Sequence, residues 1–152
     1  MTAKTRLFGT ITIEDEKIIE FPDGIIGFPF MKKFALIRDE ENEDAAIMWL
    51  QSMEEPQFAM PVAEPRLVVA GYNPVVDDEN LLPLGTLKEE QTYSLVTLTV
   101  PGEIEKMTAN LKAPIIINME NNRAVQMIVE DDYEVKHPIY ETLKKRKEGI
   151  QC

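Results

Sequence analysis

Short apolar and β-branched segments alternate with polar turns along the whole chain, and strands are the elements they mostly predict. Leu7 to Ile13 mixes Phe8, Ile11 and Ile13 with threonine and glycine, and Glu14-Asp15-Glu16-Lys17 turns the chain before Ile18 to Phe21. Phe34 to Ile37 and Ala45 to Leu50 flank the polar run Arg38 to Asp44, which reads as a hairpin with an exposed acidic tip. Tyr93 to Val100 is apolar on both faces, the pattern of a strand buried on two sides. Ile115 to Ile117 and Val125 to Val129 bracket Glu120-Asn121-Asn122-Arg123, a second hairpin with asparagine at the tight positions. The pattern predicts an antiparallel barrel or sandwich.

Two stretches have helical features. Asp77 to Leu82 suffices for one turn after Pro74. Pro138 to Gly149 is the stronger case: Pro138 opens it, Ile139 and Leu143 lie four apart, and Gly149 stops it. Its basic run, Lys144-Lys145-Arg146-Lys147, reads as a solvated helix end favoured by the helix dipole. No repeat, low-complexity tract or Gly/Ser linker interrupts the 152 residues, a length that suits one domain. The expected division is a β domain over 1–139 and a basic C-terminal helix or tail over 140–152.

Charge narrows the partners. Sixteen basic against 27 acidic side chains give −11, and the basic tail leaves residues 1–139 at −13. Such a surface disfavours nucleic acid and anionic membranes, and it suits a basic protein partner or solubility alone. Cys152 stands alone, so an internal disulfide is excluded and a cytoplasmic setting is expected. One histidine and one cysteine cannot build a structural zinc site. The longest apolar run, Ala45 to Leu50, is far below the ~20 residues of a membrane span. Neither Ser52 nor Ser94 sits in a nucleophile elbow, and His137 before Pro138 reads as a surface or capping residue. The spacing Gly24-Ile25-Ile26-Gly27 lacks the basic residues of a nucleic-acid-clamping loop, and no dinucleotide or Walker fingerprint occurs. Carboxylates cluster in turns, as solvated charge does. No enzyme is legible.

Three segments stand out instead. Phe21-Pro22-Asp23-Gly24-Ile25-Ile26-Gly27-Phe28-Pro29-Phe30 holds three aromatics among prolines and glycines, and its prolines exclude a regular central strand. It is either a rigid plug of the core or an aromatic docking surface. Trp49 to Pro61 holds two strand-like pieces around a polar turn. In Thr108 to Asn118, Pro114 marks a strand entry, and Asn110 and Asn118 are placed to bond backbone at the ends. In this order and spacing the segments resemble the bacterial flagellar assembly factor FliW family. The matching runs are Gly24-Ile25-Ile26-Gly27-Phe28, Trp49-Leu50-Gln51-Ser52 with Pro56, and Asn110 through Asn118; Gln126, Tyr133 and His137-Pro138 follow.

The resemblance spans about residues 5–140. It implies a mainly β, small antiparallel β-barrel-like single domain, to which the residue pattern adds a short C-terminal helix. It implies no catalysis and no cofactor. It also implies two protein partners in the cytoplasm: flagellin, and CsrA, a small RNA-binding translational repressor of flagellin mRNA. Phe21, Phe28 and Phe30 are the expected partner contacts. Asp39, Glu40, Glu41, Glu43 and Asp44, five charges within six positions, are expected to repel RNA from the bound repressor. Rival readings are a small-ligand-binding β-barrel module and a carboxylate-based hydrolase.

Overall fold

The structure, a computed structural model, describes residues 1–38 and 46–151, with side chains through Lys145 in the last helix. Strands β1 (Thr2–Thr5) and β2 (Gly9–Thr12) form a separate antiparallel hairpin. Next come β3 (Ile19–Glu20), β4 (Lys33–Ile37), β5 (Met48–Ser52) and β6 (Ala59–Ala63). A single helical turn, α1 (Asp78–Leu81), precedes β7 (Thr92–Thr99), β8 (Thr108–Ala109), β9 (Ile115–Asn118), β10 (Arg123–Gln126) and β11 (His137–Pro138). The described chain ends in α2 (Tyr140–Gln151).

Seven strands close into a barrel. β3 to β7 pair in sequence order as antiparallel neighbours. β7 then pairs with β9, β9 with β10, and β10 returns to β3. That last link is one parallel bridge, Arg123 to Glu20, so the barrel is mostly but not wholly antiparallel. β7 is long enough to serve two partners on one edge, β9 along Thr92–Leu95 and β8 at Leu98–Thr99, and β11 extends from β8.

Period-two alternation decides which side chains fill the interior. Phe34 and Leu36 of β4, Met48 and Leu50 of β5, and Ile115 and Ile117 of β9 point inward. The interior is therefore filled by side chains, as a barrel of about this strand number requires. The alternate residues face outward and are covered too. Ala35 and Ile37 lie under the β1–β2 hairpin, and Val96 and Leu98 under a cluster containing Tyr72, Met107 and Ile139. Ile116 packs with Leu84 and Val125 beneath the α1 segment. This double coverage explains the two-faced apolar pattern of β7.

Several sequence expectations shift at their edges. β1 carries too few apolar residues to register as a strand, yet pairing with β2 buries Ala3. Strand character ends at Gln126, not Val129, because Met127 and Val129 donate across to the Pro114 and Lys112 carbonyls and begin a strap. Pro138 does not open the final helix. It pairs with Thr108, Ile139 is buried below Met107, and α2 starts only at Tyr140 and runs through Gly149. His137 correspondingly sits in a strand pair rather than at a cap. Asn122 takes φ 56° in the β9–β10 turn, a conformation asparagine tolerates better than most residues.

The pairing of β6 is uneven. Four residue pairs join it to β5, but only Val62–Thr97 and Ala63–Val96 join it to β7. The next position is Pro61, which has no N–H to continue the ladder. Ala59, Met60 and Pro61 consequently leave a seam against the end of β7.

Candidate functional site

The aromatic loop is built as a rigid bracket. Phe21 N–H donates to Lys32 O at 2.7 Å and Gly24 N–H to Phe21 O at 2.9 Å. Ile25 and Phe28 exchange N–H···O bonds at 3.3 and 2.9 Å around a tight turn whose third residue, Gly27, has φ 89°. Left-handed backbone at that position is the mark of a type II turn and requires glycine. Gly24 also has positive φ, 71°, and a Cβ there would collide with the Pro29 backbone. Two glycines and two prolines thus fix the loop before any partner arrives, which lowers the ordering cost of binding.

This bracket sorts its phenylalanines. Phe21 is 0% exposed and meets Phe34 edge-on at 5.3 Å inside the barrel. It is a core plug and offers no surface to a partner. Phe28 and Phe30 are 39% and 65% exposed, 6.4 Å apart, with Phe28 leaning on Phe58 at 5.2 Å. The plug reading holds for Phe21, while Phe28 and Phe30 stay on the surface.

Phe28 borders an open groove of about 540 Å³ over the β6–β7 seam. Ile25, Ile26 and Phe28 form one wall, Met60, Pro61 and Leu98 the floor, and Ile128 and Val135 of the strap the far wall. Ile128 and Val135 are 64% and 57% exposed. Several polar groups around the groove are paired with neighbours. Gln126 accepts Ile26 N–H at 3.0 Å through Oε1 and donates to Ala113 O at 3.3 Å. Asn110 Oδ1 accepts Lys112 N–H at 3.1 Å, and Lys112 Nζ donates to Asp131 O at 2.6 Å. What the groove shows to solvent is chiefly hydrocarbon.

A second cleft, about 450 Å³, shares no lining residue with the groove and is differently made. Val76, Leu81, Leu87 and Ile116 give it an apolar floor, while Glu64, Arg66 and Glu89 charge its rim. Tyr72 hydroxyl donates to Leu111 O at 2.7 Å, and burial, then Tyr133, then Asp131 push its pKa up. Burial, followed by hydrogen bonding and repulsion from Glu64, pushes Tyr93 up to about 12, against an opposing pull from Arg38, which donates to its hydroxyl. Both hydroxyls therefore stay protonated across the physiological range. Neither is a base.

Sequence reasoning had found the Phe28 wall but missed Ile128 and Val135. The sequence pattern places Ile128 in a strand from Val125 to Val129 and gives Val135 no element, and only the hydrogen bonds to 110–114 reveal a strap. The expected acidic group Asp39, Glu40, Glu41, Glu43 and Asp44 lies outside the described residues. Ser94 lies in β7, and Gln51 is wholly buried, its Nε2 donating to the Ser52, Pro56 and Phe58 carbonyls to hold the β5–β6 turn. No helix among the described residues is long and apolar enough to cross a membrane.

Known proteins match this arrangement along nearly its full length. The family model of the FliW protein matches residues 2–139. A flagellar assembly factor FliW of Lachnoclostridium phytofermentans is 44% identical, covering 100% of both chains. One of Lachnospira eligens is 43% identical over 97% of this chain and 99% of its own. The counterpart of Thermotoga maritima is 40% identical over 97% and 98%. A crystal structure of the flagellar assembly factor FliW superposes with a TM-score of 0.84 at 30% identity, covering 92% of this chain and 97% of that one. A shared closed barrel and full-length identity of this order place the chain in the FliW family of flagellar assembly factors.

Proposed function

We propose that this flagellar assembly factor works without catalysis, by binding two proteins in the cytoplasm. It binds CsrA and relieves its repression of flagellin mRNA, and it binds flagellin before assembly. The observation that supports a binding role best is the pre-stiffened loop that holds Phe28 and Phe30 in solvent beside an apolar groove. Rigid aromatics in such a setting are the usual anchors of protein interfaces. A ligand held inside the barrel is disfavoured, because side chains fill that interior. Replacing Phe28 with alanine is expected to weaken flagellin or CsrA binding several-fold while unfolding stays cooperative. Unchanged affinity for both partners in titration calorimetry would refute this role of the loop.

The acidic run at 39–44 adds an electrostatic component to the repressor reading. A charge pair ~10 Å apart costs ~0.4 kcal/mol in water, and salt near 0.15 M reduces that to ~0.1. About ten such pairs give ~1 kcal/mol, a several-fold loss of RNA affinity. Changing Asp39, Glu40, Glu41, Glu43 and Asp44 to Asn or Gln should leave repressor binding intact and weaken RNA release, most visibly at low salt. Equal RNA release by variant and wild type in a gel-shift titration would instead assign antagonism to a change of repressor conformation.

A further inference from the structure

We propose that the second cleft binds a small organic ammonium ion, its hydrocarbon body on the apolar floor and its charged nitrogen at the acidic rim. This site is distinct from the groove and the aromatic loop, with which it shares no lining residue. It forms where a segment of chain crosses the barrel without sealing it. Ser94 of β7 and Ile116 of β9 are cross-strand partners on the outward face. Val76, Leu81 and Leu87 of the crossing segment pack against the cluster of Ile116, yet all three stay only partly buried. The space they leave, about 450 Å³, falls within the range of about 300–1,000 Å³ common for small-ligand pockets.

The charged lining selects the sign of the ligand. Glu64 and Glu89 form no ion pair among the described residues. Arg66, the one cation of the lining, turns its Nε to the Tyr72 carbonyl at 3.4 Å. Arg38, outside the lining, donates to the Tyr93 hydroxyl at 3.4 Å. Two acids thus stand against one base in the lining, on a chain of net charge −11, and both fields draw a cation. An ammonium group brings donors and no acceptor, which suits two carboxylates and the Ser94 hydroxyl. A carboxylate ligand would find Arg66 alone and two like charges beside it. A lysine side chain from a partner protein carries the right charge, but its slender stem is too little hydrocarbon for a floor built from Val76, Leu81, Leu87 and Ile116.

The test titrates the full-length protein, its isoleucine, leucine and valine methyls isotopically labelled, and follows them by NMR. The probes are 2-phenylethylamine, its neutral analogue 2-phenylethanol, its anionic analogue phenylacetate, and Nα-acetyl-lysine amide. The amine should shift the Val76, Leu81, Leu87 and Ile116 methyls saturably, with a Kd of about 0.1–1 mM, ordinary for a ligand of its size. It should bind about five-fold tighter than the alcohol and at least about ten-fold tighter than phenylacetate. Glu64→Gln combined with Glu89→Gln should erase the preference for amine over alcohol, leaving the alcohol's affinity and the unfolding midpoint unchanged. Raising salt from about 50 to about 300 mM should narrow the same preference. No saturable shift up to about 10 mM amine overturns the site. Shifts confined to Ile128 and Val135 overturn it as well, since the amine would then sit in the groove. Phenylacetate binding as tightly as the amine, or the double variant keeping the preference, overturns the assignment of the rim carboxylates. Nα-acetyl-lysine amide matching the amine would give the cleft to a protein side chain and overturn the small-molecule occupant. None of these readouts involves flagellin or CsrA, so the function proposed above is tested separately.

Discussion

The strap from Met127 to Lys136 meets two kinds of surface, an open groove through Ile128 and Val135 and the 73–75 segment through Asp131 and Tyr133. On one side Ile128 and Val135 are left bare, while Gln126, Asn110 and Lys112 satisfy one another or the backbone. On the other side the strap is occupied structurally. Asp131 accepts Val75 N–H at 3.1 Å, Tyr133 hydroxyl accepts Asn73 N–H at 3.1 Å, and the Tyr133 ring lies 4.6 Å from that of Tyr72. The groove side leaves hydrocarbon bare, the surface to which a binding role is proposed above. A surface that uses its polar atoms to fasten a loop is arranged for stability. Proximity to a cleft therefore says little about a residue's role until its hydrogen bonds are traced.

The sharpest way to break that contrast is at the groove's near wall. Gly24→Ala combines a left-handed backbone with a collision against Pro29, and should destabilise the fold by roughly 3 kcal/mol. The loss should appear in urea unfolding, with binding by the refolded fraction also impaired, because the wall is displaced. An alanine variant of full stability would mean that the loop relaxes freely and that its stiffness was overstated.

Alkaline titration probes the second cleft next. Tyr93 ionises near 10 when unfolded and near about 12 when folded, so its contribution is fully present below pH 10. Between pH 10 and 12 the unfolded chain loses a proton that the folded chain keeps, and stability falls by roughly 2 kcal/mol. Tyr93→Phe should flatten that part of the stability curve relative to wild type. Parallel curves for the two proteins would contradict the assigned burial.

The smallest expected effect is Tyr72→Phe. Removing its hydroxyl leaves Leu111 O short of a donor and should cost about 1–2 kcal/mol in thermal unfolding. Binding at the groove should be unaffected, since Tyr72 lines only the second cleft. A groove-binding defect in this variant would show that the strap transmits between the two sides.

Sequence made the barrel legible because short apolar runs at β4, β5 and β9 are separated by polar turns, and because Pro114 and the Asn121–Asn122 turn punctuate them. The two-faced burial of β7 was equally readable from Leu95 and Val96 being apolar in succession. β1 escaped because Thr2 to Thr5 has no alternation to read. The start of α2 was misplaced because proline at a helix start and proline in a short strand pair look alike in one dimension. At the site, the loop was visible and its division was not. Phe21 and Phe28 have the same chemistry and the same Gly/Pro company, and only the turn at Ile25–Phe28 sends one inward and the other outward. Ile128 was legible only as part of a strand and Val135 as nothing in particular, because exposure is a property of the assembled strap.

Pro61 has a consequence beyond the groove it helps to open. A barrel escapes edge-to-edge polymerisation by having no edges, and the seam beside β6 gives that protection up locally. An exposed strand edge next to bare isoleucine, phenylalanine and valine is the usual starting point for runaway stacking of one chain on another. Proline at that edge cannot donate to a growing ladder, which blunts this route to stacking beside the exposed apolar side chains. Substituting a residue with a free N–H there would give the exposed edge back a donor and, with it, a place for another chain to pair.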